Sequence, residues 1–203
     1  MRTLRLILIT LTLALVLAPP APAGTTPTEL VFGVADQVVA RLREGQPLND
    51  NQAYDLVDDL ILPHLDFEAF SRLTLGKHWR QASPEQRVAF THEFKSMLIH
   101  TYASSLNTYA GEAFEHVGER NEGDDRVLVQ TRFVRSHGEP VRVDYRLHRR
   151  DGEWKIYDVV IEGVSMVLNY RASFGEEISR GGLDKLIQRM ASHQEQLPGV
   201  KIP

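Results

Sequence analysis

A handful of residues have the types and spacing that chemistry requires. Gly163-Val164-Ser165-Met166-Val167 opens like G-x-S-x-G, the elbow that presents a nucleophilic serine in hydrolases. Valine holds the place of the last glycine, however, and the strand before it belongs to an antiparallel pattern, so the elbow fails. His92-Glu93 opens like the zinc motif H-E-x-x-H, but Ser96 stands where the second histidine is needed. His92 and His100 are two helical turns apart, a spacing of solvent-facing side chains more than of a metal pair. Asp55, Asp58 and Asp59 are related as i, i+3 and i+4 and could gather a hard cation, although three acids on one helix side usually form a solvated face. Seven arginines between Arg126 and Arg150 are the one concentration of charge. They read as the polar face of a sheet, or as a patch for anionic headgroups or an acidic partner. No catalytic residue, metal site or cofactor is assigned.

The elements that must carry these residues follow from periodicity. Apolar residues at every fourth position predict a helix over 29–43, ended by Gly45 and Pro47, and a second over 51–62, stopped by Pro63. A short helix over 66–75 closes at Gly76. Ser83-Pro84-Glu85-Gln86 supplies an N-cap, proline at the first helical position and glutamine completing a capping box. The long helix that follows turns Phe90, Phe94, Met97, Leu98, Tyr102, Leu106 and Tyr109 to one side. Beyond Gly111 the period changes to two, predicting strands over 114–117, 126–134, 141–149 and 154–161. A two-residue turn at Asp151-Gly152 sets Leu147 opposite Ile156, Tyr145 opposite Asp158 and Val143 opposite Val160. That register puts Asp158 on the apolar face, held there by a buried tyrosine or indole, or serving as general base of a small-molecule enzyme on a cone-shaped fold. The other face then carries Arg142, Arg146 and His148 together with Tyr157, Val159 and Ile161. Helical period returns over 164–190, interrupted at Gly181-Gly182. The order predicts an α+β fold, a twisted antiparallel sheet of about four to five strands wrapped by N- and C-terminal helices.

Composition limits the classes of function. The 203 residues are 42% hydrophobic and 25% charged, with formal net charge −4. Arg2 and Arg5 precede the apolar run 6–18, and Ala21-Pro22-Ala23 provides a small-residue cleavage site, so 1–23 reads as an export signal cleaved after Ala23. The apolar run is too short for a spanning helix. Loss of two arginines leaves residues 24–203 as one domain with net charge −6, which argues against nucleic acid. Without cysteine there is no disulfide, thiolate metal site or lipidated cysteine. The expected compartment is a bacterial periplasm.

Several stretches together resemble one family. They are Leu62-Pro63-His64-Leu65-Asp66-Phe67, Leu75-Gly76-Lys77-His78-Trp79-Arg80, Ser83-Pro84-Glu85-Gln86-Arg87 with Phe90 and Phe94, Trp154-Lys155-Ile156-Tyr157-Asp158-Val159, Glu162-Gly163-Val164-Ser165-Met166, Asn169-Tyr170-Arg171 with Phe174, and Gly182-Leu183-Asp184 with Leu186-Ile187. In that order they look like the MlaC family, periplasmic phospholipid-binding proteins of the maintenance-of-lipid-asymmetry pathway, also called toluene-tolerance auxiliary proteins. The resemblance implies a monomeric carrier of diacyl phospholipid as cargo, moving between an inner-membrane ABC transporter complex with MCE domains and an outer-membrane lipoprotein with a porin. It implies a sheet distantly similar to nuclear transport factor 2, wrapped by helices around an apolar cavity, with 162–166 at the cavity.

The physics of such a carrier agrees with the residues. A lipid with about 30 methylenes gains roughly 24 kcal/mol on leaving water, at about 0.8 kcal/mol each, so it crosses an aqueous space only when enclosed. The candidate lining is Phe90, Phe94, Leu98 and Tyr102 from the long helix, Val143, Tyr145, Leu147, Tyr157, Val159 and Ile161 from the sheet, and Val164, Met166, Tyr170, Phe174 and Leu186 from the segments after it. The alternatives are a periplasmic adaptor with a filled core and no ligand, and the small-molecule enzyme.

Overall fold

The computed structural model describes residues 25–44, 47–103, 106, 113–135 and 138–192. Its helices come in two groups on either side of one sheet in sequence. The first helix, α1 (Pro27–Arg43), begins earlier than its apolar period because Pro27 fits the first turn. Thr26 and Glu29 exchange a capping box there. The predicted helix 51–62 divides into α2 (Asp50–Leu56), a π-helical turn over Val57–Ile61 and a 3-10 turn over Leu62–His64. The extra residue in the π turn changes the helix phase before Pro63 ends it. Asp66 caps α3 (Phe67–Leu75), which ends at Gly76, with φ 54° and ψ −116°. Only glycine enters that conformation without strain, and the chain reverses directly into α4 (Lys77–Gln81). The capping box of Ser83 and Gln86 opens α5 (Pro84–Ala103). Leu106 is half-buried in a following turn, and Tyr109 lies outside the described residues.

The strands are β1 (Ala113–Gly123), β2 (Arg126–Val134), β3 (Val141–Arg150), β4 (Glu153–Ile161) and β5 (Val164–Ser165), antiparallel neighbours in sequence order. The fold is α+β, and β5 makes the fifth strand by taking the first two residues of the expected last helix. What remains of that helix is α6 (Met166–Gly181) and α7 (Leu183–Ala191), separated at Gly182 with φ 83°. Asp151 and Gly152, both at positive φ, form the two-residue hairpin turn, and Leu147 faces Ile156 as expected.

Beyond that pair the register departs from the simple alternation. A β-bulge leaves Tyr157 as the extra residue, so Arg146 faces Asp158, Tyr145 faces Val159 and Val143 faces Ile161. The expected pairs Tyr145 with Asp158 and Val143 with Val160 are therefore corrected. An unbroken alternation would set a carboxylate among apolar side chains, where its desolvation is costly. The bulge moves it across the sheet and brings Val159 and Ile161 to the covered face. Asp158 is buried there, but its partners are neither tyrosine nor indole. Its carboxylate accepts from Arg146 Nη1 at 2.9 Å, Ser165 Oγ at 2.6 Å and the Val167 N–H at 3.1 Å. Ser165 is itself the N-cap of α6, accepting from the Leu168 N–H at 3.1 Å. One acid thus fastens β3, β4 and the start of α6.

Asp158→Ala removes the acceptor from three donors and leaves Arg146 without one of its two acids. The expected loss is about 2–4 kcal/mol, read as a lower urea midpoint at unchanged m-value.

Candidate apolar binding site

The covered face of the sheet carries two apolar bodies. The larger is built from α3, α5, α6 and α7 against β3 and β4, with Phe90, Phe94, Val143, Ile161, Met166, Tyr170, Phe174 and Leu186 all buried in it. Leu98, Tyr102, Tyr145 and Val159 pack against it half-buried. Aromatic contacts knit it together. Phe94 lies 5.2 Å from Tyr170 and 5.3 Å from Phe174, both edge-on, and Phe90 meets Phe174 at 5.8 Å. The Tyr102 and Tyr170 hydroxyls are 3.2 Å apart.

The second body lies under α1, where Val31 packs with Val129, Leu147 and Ile156, flanked by Leu30, Phe32, Leu65, Phe114 and Trp154. A cleft of about 540 Å3 between α1 and the β3–β4 hairpin, lined in part by Leu30, Val34, Pro63 and Trp154, opens beside it.

The sequence-derived lining thus separates. Most of it meets in the larger body, but Leu147 belongs to the second. Tyr157 belongs to neither: it lies on the other face, where simple alternation already puts it, and its ring meets His148 at 5.0 Å. Val164 stands opposite Ile161 on β5 and is 46% exposed, a rim position. Sequence reasoning passed over Phe67 and Phe70, which reach the larger body from α3, and Phe133, Phe114 and Phe32, which carry aromatic contact from the sheet edge to α1. The i, i+3 spacing of Phe67 and Phe70 just after the Asp66 cap was the available signal. Phe32 and Phe114 gave none, since only tertiary contact pairs them.

Charge is kept to the opposite face and the rims. Arg132 pairs with Glu115 at 2.7 Å, Arg142 with Asp144 at 2.8 Å, Arg146 with Glu122 and Asp158, Arg149 with Asp125 at 3.4 Å and Arg150 with Asp66 and Glu68. The arginine concentration is therefore largely compensated within the molecule, which supports its reading as the polar face of the sheet. Burial, and then the nearby Glu122, push the Tyr157 phenol above its usual range, so it stays neutral at ordinary pH.

The other chemical candidates disperse. Ser165 is occupied as cap and donor to Asp158. His92 is exposed beside Glu93, and His100 packs edge-on to Tyr54 at 4.4 Å. Asp55, Asp58 and Asp59 are all exposed, with Asp58 3.5 Å from Lys95. Among the described residues no group of three His, Cys, Asp or Glu is placed to hold a metal ion.

Asp66 anchors the junction between the two bodies. Its carboxylate accepts from the Ala69 N–H at 2.9 Å and Arg150 Nη1 at 2.6 Å, and His148 Nε2 is 2.9 Å away. Burial alone would raise its pKa. The Ala69 N–H, Arg150 and His148 outweigh that and hold it below the ordinary carboxylate value.

These features define an α+β protein in which helices seal one face of an antiparallel sheet over an apolar interior while the buried acids are tied up elsewhere. More narrowly, the chain belongs to the MlaC family: the model of that family, described as MlaC protein, matches residues 33–192. It is 26% identical over 183 residues to the intermembrane phospholipid transport system binding protein MlaC of Haemophilus influenzae, spanning 87% of this chain and 86% of that one. It is 28% identical over 175 residues to the toluene tolerance protein ttg2D of Pseudomonas putida, spanning 83% and 81%. A phospholipid-binding protein from Ralstonia solanacearum, solved in complex with a phospholipid, superposes with TM-score 0.76 at 32% identity over 84% of this chain and 96% of that one. No helix among the described residues is long and apolar enough to cross a membrane.

Because the folded pKa of Asp66 lies below its unfolded value near 3.9, its contribution is present above that value and lost as pH falls through the folded one. Urea unfolding across the acid range should show wild-type stability falling there. Asp66→Asn should be weaker at neutral pH by about 1–3 kcal/mol and flatter in that window.

Proposed function

We propose that this protein is a periplasmic phospholipid carrier. Residues 1–23 direct export and are removed after Ala23, leaving a single monomeric domain, 24–203. That domain encloses the acyl chains of a diacyl phospholipid and carries it between an inner-membrane MCE-domain ABC transporter complex and an outer-membrane lipoprotein with its porin, which maintains outer-membrane lipid asymmetry. The observation that carries this reading is the Ralstonia structure, whose bound phospholipid belongs to a relative aligned over nearly its whole length. The apolar interior supports it independently, since acyl chains need contact area and offer no hydrogen bonds.

The carriage needs no covalent step. Uptake and release follow the difference in lipid affinity between the carrier and each docked complex. Phe90, Phe94, Phe174 and Leu186 are without exposure, so chains enter by parting helices from the sheet and replacing side-chain contact with chain contact. The Gly182 joint allows α7, which brings Leu186 and Met190 to the interior, to shift against α6. Val164 and Tyr145 stand at the rim and the middle of the covered face. The headgroup stays at the mouth, where water continues to solvate it.

Native mass spectrometry of the mature protein, followed by organic extraction, should find a diacyl phospholipid that survives purification. A protein that is empty and also takes nothing from labelled vesicles overturns the carrier reading in favour of the adaptor. Tyr145→Asp sets an unpaired carboxylate between the two apolar bodies and should abolish lipid retention. Val164→Asp, at an exposed position, should keep the fold by circular dichroism and lose most of the retained lipid.

A further inference from the structure

The two apolar bodies meet along a row across the middle of the sheet, and again at its edge, where Phe133 of the larger body lies 4.8 Å from Phe114 of the second. Tyr145 and Val159 are the residues that pack against both, and the register places Val129, Tyr145 and Val159 side by side on β2, β3 and β4. On one side of that row stand Val143 and Ile161 of the larger body, and on the other Leu147 and Ile156 of the second. Two of the three are valines, so the tyrosine ring alone stands high enough above the sheet to reach the covering layer. It meets Phe114 edge-on at 6.3 Å, and Phe114 packs on Phe32 of α1 at 4.8 Å. A wall of three rings thus runs from the centre of the sheet to the helix over the second body.

We propose that Tyr145 is the partition of the apolar interior and sets its acyl-chain capacity, confining a two-chain lipid to the larger body and keeping the second closed to further chains. The inference rests on the carrier reading and goes beyond it, since a carrier needs an apolar interior but not a divided one. The division has a chemical consequence. An undivided interior takes more chain length, and so favours four-chain over two-chain phospholipids, whereas a divided one excludes the surplus chain by contact with the ring. The bulge at Tyr157 is part of the device, because it is what sets a valine beside Tyr145 in place of Asp158.

The test is uptake from vesicles containing equal chain amounts of phosphatidylglycerol and cardiolipin, which share headgroup chemistry and differ in chain number. Captured lipid is identified by extraction and mass spectrometry. Tyr145→Ala should raise the cardiolipin-to-phosphatidylglycerol ratio by about tenfold, the gain expected when two further methylenes leave water. Bound phosphatidylglycerol should shift toward longer chains, and restoring the ring as Tyr145→Phe should return both readouts toward wild type. A Tyr145→Ala protein that takes up lipid at the wild-type ratio and chain length overturns the partition. Should that variant fail to give a cooperative thermal transition, Tyr145→Leu is read by the same criteria, since leucine keeps apolar bulk but falls short of Phe114. Wild-type protein that captures neither lipid overturns the carrier reading instead, so the two failures are distinguishable.

Discussion

The arrangement depends on one irregularity, the bulge that turns Asp158 away from the apolar face of the sheet. A carboxylate left in register with Tyr145 would sit where the two apolar bodies join, between Val143 and Leu147. One additional residue in β4 solves this locally. The displaced acid then becomes useful on the other side. It accepts three hydrogen bonds and binds the first turn of α6, the helix that brings Met166, Tyr170 and Phe174 to the interior. The same backbone defect therefore keeps charge out of the site and fixes one of its walls.

A second acid works at the opposite end of the helical layer. Asp66 caps α3 and draws in Arg150 and His148 from the end of β3, which holds Phe67 and Phe70 against the interior. Both carboxylates lie at helix starts, where backbone N–H groups and the helix dipole favour a negative charge. Burial of charge here is tolerable because each acid is saturated with donors, and both tie a helix to strands, Asp66 to the distant end of β3 and Asp158 to the helix that follows its own strand. The interior between them contributes area and aromatic edge contacts without directional bonds of its own. That combination suits a site whose occupant is apolar and variable in shape, because contact area adapts to a chain whereas fixed donors and acceptors would not.

Sequence alone determined the elements and their class. Capping signals, proline positions and the change of period located α3, α5, the strands β2 to β4 and the glycine break between α6 and α7, because each is decided by contacts within a few residues; β1 was legible only in its first part, 114–117, and continues to Gly123 because pairing with β2 carries it on. The Leu147–Ile156 pair was legible too, since a two-residue turn fixes the register next to it. The aromatic stripe of α5 and the residues after Ser165 were legible as an apolar side, and they do converge. The order of short motifs pointed to the family.

Only the tertiary structure decided what those residues form together. The bulge has no glycine or proline to announce it; it follows from the energy of placing Asp158, which depends on Arg146, Ser165 and Val167 being in reach. Once it is present, Val159 and Ile161 come to the covered face and Asp158 leaves it, so a one-residue event reverses the facing of the rest of β4. The π turn at Val57–Ile61 escaped for the same reason, as did the division of the interior at Tyr145. Periodicity tells which side of an element is apolar. Which apolar sides face one another, and where charge must be diverted to let them, is set by contacts between residues a hundred positions apart.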